Sequence, residues 1–372
     1  MLYVPHKHLY ISDASYISSD EPDYKEVITD ANSRRRMGRL LKMAVWCGLK
    51  SLDGVPSERV AGIITSTGAG FMKDTISFGS SIFDREETLL NPSPFMQSTF
   101  NTASGYIALI RKIHAYNTTY VQQADGFAAS LVDAAMLLDD AGEGNVALVG
   151  AFDEVTPEVD VIRQRLGLYR VGDGFLPLGE GAAAFLLSAA MPTDVSDSCP
   201  ATESSTGPGG GDGSESDSGQ SGDEAGSESA SERGGDANSE CSTGPLRESE
   251  SASRPCDESG SESDSEPLHD SGGTSSHSLN GTKDGNAALR FCGLANLSDL
   301  PKCAGNPIAE LFGINAGVNV ISCADHVESL GAFRSLLPVL LCKLISEQQI
   351  PDGYTAIVDD VNEDGVIILL HK

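Results

Sequence analysis

The sequence predicts an α/β protein, because short apolar segments suited to strands alternate with longer segments of helical periodicity. Residues 117–138 show this alternation most clearly, since β-branched and aromatic residues are followed by a short polar turn and a long apolar run. Residues 145–151 are almost wholly apolar, as expected of a strand at the centre of a parallel sheet that is covered on both faces. Both features are typical of a layered fold with a large buried core.

The remaining elements are predicted from the same periodicities. Before the middle of the chain, strands are expected at 9–17, 60–65 and 182–187, and helices at 37–52 and 103–115. Near the end, strands are expected at 288–294, 319–322, 355–359 and 366–370, and a helix at 328–347. The Asp-Gly pair at 364–365 predicts that the last two strands are antiparallel.

The turn at 66–70, Ser-Thr-Gly-Ala-Gly, follows a predicted strand, as phosphate-binding loops do. It lacks both a complete GxGxxG and a following GK[ST]. A plain tight turn is therefore favoured over a phosphate site.

Residues 193–286 differ from the rest of the chain, because they consist mainly of Ser, Gly, Glu and Asp with hardly any aliphatic or aromatic residue. They hold 21 acidic and 4 basic residues, and so carry 17 of the 29 net negative charges. Such a segment cannot bury enough apolar surface to offset its chain entropy, and we predict a disordered acidic insertion. The flanking residues, 1–192 and 287–372, are expected to form one composite core with an abbreviated C-terminal half.

The acidic balance of the chain argues against binding to nucleic acid or to anionic membranes, which both select basic patches. Arg34-Arg35-Arg36 is the one dense basic run, and a solvated helix start is favoured over a phosphate-binding role. No stretch approaches the ~18 apolar residues of a membrane span, and no signal peptide is evident. The cysteines show no paired spacing, and a cytoplasmic protein is expected. Cys323 and His326 lack a second ligand pair at zinc spacing, so no metal site is expected, and no cofactor is expected either.

The start of the helix within residues 117–138 is the strongest candidate for chemistry, because the free N–H groups and dipole of a helix N-terminus favour a thiolate or an oxyanion. The turn before it is Gln122-Gln123-Ala124-Asp125, which contains no nucleophile. Asp125 is expected to cap the helix and to raise the pKa of any nearby thiol. The sequence thus predicts the outline of an active site that lacks its reactive group.

Four segments, in order, resemble the β-ketoacyl synthases of the thiolase-like superfamily. Residues 101–105 are similar to the Asn-x-Ala-x-Gly helix start of that family, residues 117–138 to the strand and helix that carry its nucleophile, and residues 146–154 to the next strand. The fourth segment resembles the DGF…GEGA signature, with Asp173, Gly174, Phe175, Gly179, Glu180 and Gly181 in the matching positions. The resemblance implies a thiolase-like layered αβαβα fold.

In that family a cysteine at the helix start takes an acyl group from acyl carrier protein, and two histidines assist decarboxylation and condensation. The resemblance places the cysteine position at Gln123 or Ala124, neither of which can form a thioester. The first histidine segment has no counterpart, and His326 matches the second only across a gap. Cys47 and Cys323 are possible substitute nucleophiles, but a packed thiol is favoured at each.

The resemblance therefore implies a cysteine-less relative, similar to chain-length factors and to ketosynthase-like proteins of flexirubin and aryl polyene pathways. Such a protein is expected to pair with a catalytic ketosynthase, or with itself, and to work with acyl carrier protein. The residues expected at the interface and the tunnel end are Gln122, Gln123, Asp125, Gly126 and Phe127. One alternative is a malonyl-carrier-protein decarboxylase or a residual ketosynthase. Another is a decayed core that carries a functional acidic tether.

Overall fold

The computed structural model describes residues 1–121, 126–189, 288–303, 305–362 and 365–372. The strands are β1 (Leu2–Tyr3), β2 (Leu9–Ile17), β3 (Val60–Thr67), β4 (Tyr116–Val121), β5 (Val146–Asp153), β6 (Arg170–Val171), β7 (Gly174–Phe175), β8 (Gly181–Ala189), β9 (Leu289–Asn296), β10 (Val318–Ser322), β11 (Tyr354–Val358) and β12 (Val366–His371). The α-helices are α1 (Ala31–Arg36), α2 (Arg39–Ser51), α3 (Met72–Asp84), α4 (Pro92–Gln97), α5 (Thr102–Arg111), α6 (Gly126–Asp140), α7 (Pro157–Leu166), α8 (Pro307–Leu311), α9 (Val327–Leu330) and α10 (Leu336–Ser346). The predicted insertion at 193–286 lies outside the described residues, so its disorder and its boundaries stay predictions.

The main sheet has ten strands among the described residues, in the order β10-β11-β12-β9-β2-β8-β5-β3-β4, with β1 paired to β9. Its two halves meet where β2 pairs with β9. In the first half, the β2–β8 and β8–β5 pairs are antiparallel, and the β5–β3 and β3–β4 pairs are parallel. In the second half, the β9–β12 and β12–β11 pairs are antiparallel, and the β11–β10 pair is parallel. The second half ends at β10, within the described residues, and lacks a counterpart of β4. This arrangement agrees with the predicted abbreviated C-terminal half.

Three clusters of buried apolar side chains separate the layers. The first cluster, which includes Val45 and Ile107, joins α2 and α5 to one face of the first half-sheet. The second joins α6 and α10 to strands of both halves. The third packs α8 against the second half-sheet through Ile308, and alternate residues of β12 supply the second and third clusters, so these lie on opposite faces. Layers of helices therefore alternate with the two half-sheets, which confirms the predicted thiolase-like αβαβα fold.

The strand β5 is buried along its whole length, as its apolar sequence predicts. It pairs in parallel with β3 but antiparallel with β8. The expectation of a purely parallel sheet around it was therefore wrong, because burial on both faces depends on the covering layers and not on the direction of the neighbouring strand.

The prediction of one helix over 328–347 was wrong in its first part, because one helix, α9, ends at Leu330 and the next, α10, begins only at Leu336. Between them Gly331 has a φ of 78°, which a right-handed helix cannot contain. The next residue, Ala332, donates its N–H to the carbonyl oxygen of Pro177 at 2.7 Å. A contact with a segment far away in the sequence thus overrides the local helical periodicity. The helix predicted at 103–115 also ends early, at the end of α5.

Candidate functional site

The candidate site lies between the first turns of α6 and α10, the two helices of the central layer. Gly126 and Phe127 are buried at the start of α6, and Arg334 and Ser335 directly precede α10. The turn residues predicted to hold the nucleophile position and the tunnel end, Gln122, Gln123, Ala124 and Asp125, lie outside the described residues. Their roles therefore stay predictions.

A cleft opens between these helix starts. The polar side chains that line it are those of Ser66, Thr67, Arg334, Ser335 and Asp359. Its cavity volume is ≈ 20 Å³, about the space of one water molecule. A cavity of this size admits a water or one small polar group.

Asp153 is a buried carboxylate at the end of β5 that joins the turn after β3 to the start of α10. Its Oδ1 accepts hydrogen bonds from the Thr67 hydroxyl at 3.0 Å and from the N–H groups of Gly68 and Ala69 at 2.9 and 3.2 Å. Its Oδ2 accepts one from the Ser335 hydroxyl at 2.6 Å. Burial raises the pKa of Asp153, and these donors oppose the rise. The turn thus uses its N–H groups on a carboxylate of the protein, which agrees with the plain tight turn favoured from the sequence.

Arg334 brings a positive charge to the cleft. Its Nη1 is buried and has no hydrogen-bond partner among the described residues. The side chain crosses the turn after β3 so closely that a Cβ at Gly68 would lie 2.6 Å from the Arg334 Cγ. The positive charge of Arg334 also acts on Tyr169: burial raises the pKa of the Tyr169 hydroxyl, and the charge of Arg334 opposes that rise. Arg334 therefore lines the cleft with a guanidinium, a group that can bind a water, an amide oxygen or a carboxylate.

A second buried carboxylate, Asp359, follows β11 and also lines the cleft. Its Oδ2 accepts a hydrogen bond from the Asn362 side chain at 2.8 Å, and its Oδ1 accepts from the N–H groups of Val361 and Asn362 at 3.2 and 3.1 Å. Burial raises the pKa of Asp359. Neutral donors satisfy this carboxylate, as they do at Asp153.

The predicted histidine and thiol candidates do not line the cleft. His326 ends a short 3-10 turn, and its N–H donates to the carbonyl oxygen of Cys323 at 3.0 Å. Cys323 is fully buried. Burial is the main reason why the pKa of its thiol lies well above the ordinary value, and the negative charges of Asp359 and Asp360 raise it further. Cys47 is also buried and its pKa is raised by burial. Both are packed thiols, as the sequence favours, and a thiol of raised pKa is a poor nucleophile.

Two further absences hold for the described residues. They contain no group of three or more metal-ligating side chains that could hold a metal ion. No helix among them is long and apolar enough to cross a membrane.

The first part of the predicted signature forms a small hairpin beside α7. Asp173 is exposed, and Gly174 and Phe175 form β7, which pairs with β6. The Phe175 ring lies under the Arg163 guanidinium, 4.9 Å from its centroid, and Arg163 also donates to the carbonyl oxygen of Leu176 at 2.8 Å. These contacts support the fold of the hairpin.

The second part of the signature holds distant segments together. Gly179 lies so close to Gly331 that a Cβ at residue 179 would lie 2.8 Å from the Gly331 Cα and still nearer the carbonyl oxygen of Leu330. Glu180 accepts from the Arg39 guanidinium at 2.5 Å and from the N–H of Val155 at 3.1 Å. A Cβ at Gly181 would lie 2.7 Å from the carbonyl oxygen of Ile17. The signature residues therefore have packing roles in the described structure.

The sequence did not single out Arg334, Ser335 or Asp359, and it included Asp153 only as part of the predicted strand segment 146–154. The signal that could have found them is their position. Thr67, Asp153 and Asp359 occur at or directly after the carboxyl ends of β3, β5 and β11, where ligand sites of α/β sheets commonly lie. Which of these residues meet across the cleft depends on the pairing of the two halves.

A family model described as the β-ketoacyl synthase, N-terminal domain, matches residues 13–168. The structure of the ishigamide ketosynthase/chain length factor aligns with a TM-score of 0.54 and 13% identity, over 98% of this chain and 99% of that chain. A type II polyketide synthase acyl-carrier protein in complex with its ketosynthase bound to the hexaketide gives the same values. A beta-ketoacyl synthase from Burkholderia phymatum STM815 aligns with a TM-score of 0.41 and 13% identity, over 50% and 59%. No curated protein sequence matches the chain.

The two alignments with a TM-score of 0.54 support the fold, and the family model supports the ancestry of the first half. The matched residues include the strand and helix of the candidate site, from β4 to α6. The comparisons therefore show a match to the β-ketoacyl synthase N-terminal domain over residues 13–168 of this chain.

Proposed function

We propose that this chain is a catalytically degenerate β-ketoacyl synthase homologue that acts as a chain-length-factor-like partner subunit in fatty acid or polyketide biosynthesis, of the polyene pigment type. The observation that carries the proposal is the composition of the site. The turn before α6 contains glutamine, alanine and aspartate where the family has its cysteine, and the described cleft is lined by neither histidine nor cysteine. A scaffold role needs the family's shape and does not need its nucleophile.

A partner subunit requires an exposed association surface, and the end of the sheet at β4 offers one. β4 is an edge strand, and α5 packs beside it. Both elements expose large apolar side chains, those of Leu109, Ile110, Tyr116 and Val121. An unpaired strand edge next to exposed apolar side chains is a ready template for pairing with another chain. The ishigamide protein is by its name a ketosynthase with a chain length factor, which is the kind of pair proposed here.

In such a pair, Gln122, Gln123 and Asp125 would form part of the interface and the tunnel end. The buried face of α6, which begins with Phe127, would back the channel in which the acyl chain grows. Co-expression with a catalytic ketosynthase from the same genome, followed by size-exclusion chromatography, tests the proposal. A stable 1:1 complex is expected. A homodimer that condenses acyl groups on its own would contradict the proposal.

The variant Leu109→Asp is expected to weaken the complex with the ketosynthase by about tenfold or more in Kd, because it places a charge in the apolar surface beside β4. Leu109 is 74% exposed, so the free subunit should remain folded. Leu166→Asp is the matched control, since Leu166 is 63% exposed at the end of α7, away from β4. Isothermal titration calorimetry of both variants checks the prediction. Equal weakening by the control would argue against this surface.

A second candidate function is decarboxylation of malonyl groups on acyl carrier protein, and the unpartnered Nη1 of Arg334 favours it because a guanidinium can hold a carboxylate. We expect no CO₂ release from malonyl-carrier protein above the protein-free blank, because the described cleft lacks histidine. Catalytic release that is lost in Arg334→Gln would replace the scaffold proposal by this enzyme.

A further inference from the structure

The second half-sheet ends in a strand edge that the proposed function leaves without a role. β10 pairs with β11 on one side, and no strand among the described residues pairs with its other side. In the first half the corresponding position is filled by β4, which pairs in parallel with β3. As far as the structure describes the chain, the second half therefore lacks the strand that completes the first.

The edge of β10 has none of the sequence features with which proteins protect exposed strand edges. Its sequence, Val-Asn-Val-Ile-Ser, contains no charged residue and no proline. Its register against β11 runs from Val318 to Ser322 without a bulge. An edge of this kind is a template for a further strand, because its outward N–H and C=O groups have no neighbouring strand to bond.

One side chain of this edge offers apolar contact. Val318 packs against the third cluster and Ile321 against the second, so the two faces of β10 point to different layers. Val320 lies on the same face as Val318, yet its side chain is 55% exposed. A strand added beside β10 places a side chain next to Val320 and covers it.

The carboxyl end of β10 is surrounded by negative charge. The Asp360 carboxylate accepts hydrogen bonds from the Ser322 hydroxyl at 2.6 Å and from the Ala324 N–H at 2.9 Å. Asp360 is exposed, and so are Asp325 and Glu328, which follow shortly after β10. None of these three carboxylates forms an ion pair with a described residue. Their charges therefore attract a basic group.

We propose that the edge of β10 binds an extended, basic segment of a partner protein by β-strand addition. The segment lies parallel to β10, as β4 lies parallel to β3, with an apolar side chain against Val320 and with lysine or arginine at its carboxyl end, beside Asp360. Main-chain hydrogen bonds supply affinity, and the apolar and basic side chains supply specificity. The site is at the opposite end of the sheet from β4, so it does not depend on the subunit pairing proposed above.

The charge of the chain favours a basic segment over a second copy of the same chain. Two copies that pair through β10 bring together chains whose formal net charge is −29 each, and like charges across an interface disfavour association. A basic segment is attracted by the same charges. The carboxylates beside Ser322 then fix which end of the segment lies at the carboxyl end of β10.

Fluorescence polarisation of short labelled peptides, titrated with the full-length chain, tests the proposal. Every peptide alternates threonine and valine. One carries two lysines at its carboxyl end, one carries them at its amino end, and one carries two glutamines at its carboxyl end. The first peptide is expected to bind most tightly. A fourth peptide, equal to the first except for a central proline, is expected not to bind, because proline cannot donate an N–H group to a strand.

Val320→Lys is expected to raise the Kd of the first peptide about tenfold or more, because it removes the apolar contact and adds a like charge. Val171→Lys is the matched control, since Val171 is 61% exposed in the β6–β7 hairpin. Asp360→Asn should weaken binding of the first peptide at low salt and leave the glutamine peptide unchanged. Asp173→Asn removes one exposed carboxylate elsewhere and is its control. Circular dichroism checks that each variant is folded.

Three results would overturn the proposal. The first is that the peptide with carboxyl-terminal lysines binds no more tightly than the proline peptide, or no more tightly than the one with amino-terminal lysines. The second is that the control variants weaken binding as much as Val320→Lys and Asp360→Asn do. The third is a wild-type homodimer that becomes monomeric in Val320→Lys on analytical ultracentrifugation, which would assign the edge to a second copy of the chain.

Discussion

Gly179→Ala is expected to destabilise the protein by about 3 kcal/mol or more, because the added methyl group has no space. A Cβ at this position would lie against the carbonyl oxygen of Leu330 and 2.8 Å from the Gly331 Cα, and both are backbone atoms of the segment that joins α9 to α10. Relief of the clash requires that this segment move away from Gly179. That movement would also break the hydrogen bond that the Gly179 N–H donates to the Ala332 carbonyl oxygen.

Urea unfolding followed by circular dichroism measures the effect, and Gly105→Ala is the matched control. Gly105 lies within α5, and apart from its chain neighbours and the backbone of its own helix, no atom lies within 4 Å of the position that a methyl group would take. Since alanine favours a helix interior over glycine, the control should stabilise the protein by about 0.5–1 kcal/mol. A Gly179→Ala protein as stable as the wild type would mean that the two halves do not meet as described.

Asp153→Ala is expected to cost on the order of 4 kcal/mol, because it leaves the donors of Thr67, Gly68, Ala69 and Ser335 without their shared acceptor in a buried place. Asp173→Ala is the control. Asp173 is exposed, so its removal should change the free energy of unfolding by less than about 0.5 kcal/mol. Equal stability of the two variants would contradict the role assigned to Asp153.

The same carboxylate predicts a pH dependence. Burial raises the pKa of Asp153 in the folded protein, so the folded state holds its proton more tightly than the unfolded chain does. Its contribution to stability is therefore fully present below the ordinary aspartate pKa and is lost as the pH rises through the raised value. The stability of the wild type relative to Asp153→Asn should fall over that range, as measured by unfolding at several pH values. A relative stability that rises with pH would contradict the raised pKa.

Much of the fold could be predicted from the sequence, because the buried strands are apolar and short. β2 has the predicted bounds, and β3, β5, β10, β11 and β12 begin and end within two residues of the prediction. The helices α3, α4 and α7 were not predicted. α3 has no buried residue among those described, so its sequence lacks the strong apolar face that periodicity detects.

The contacts that shape the site could not be predicted in the same way. Ser335 and Asp153 are 182 positions apart, and the break at Gly331 depends on a segment near Gly179. Local periodicity contains no information about which distant segments meet. The family resemblance located the start of α6 correctly, yet the residues of the turn before it lie outside the described part, so the role of Gln122, Gln123 and Asp125 stays a prediction.

The late position of α10 in the chain has a consequence for biosynthesis. This helix is buried against strands of the first half, yet its last residue is Ser346, far beyond α6 and β8. During translation the inner face of the first half-sheet and of α6 must therefore stay exposed until more than a hundred further residues have left the ribosome. Nascent chains of this kind depend on chaperones or on their own solubility during that interval. Truncation before residue 336 should consequently yield aggregates and not a stable N-terminal domain.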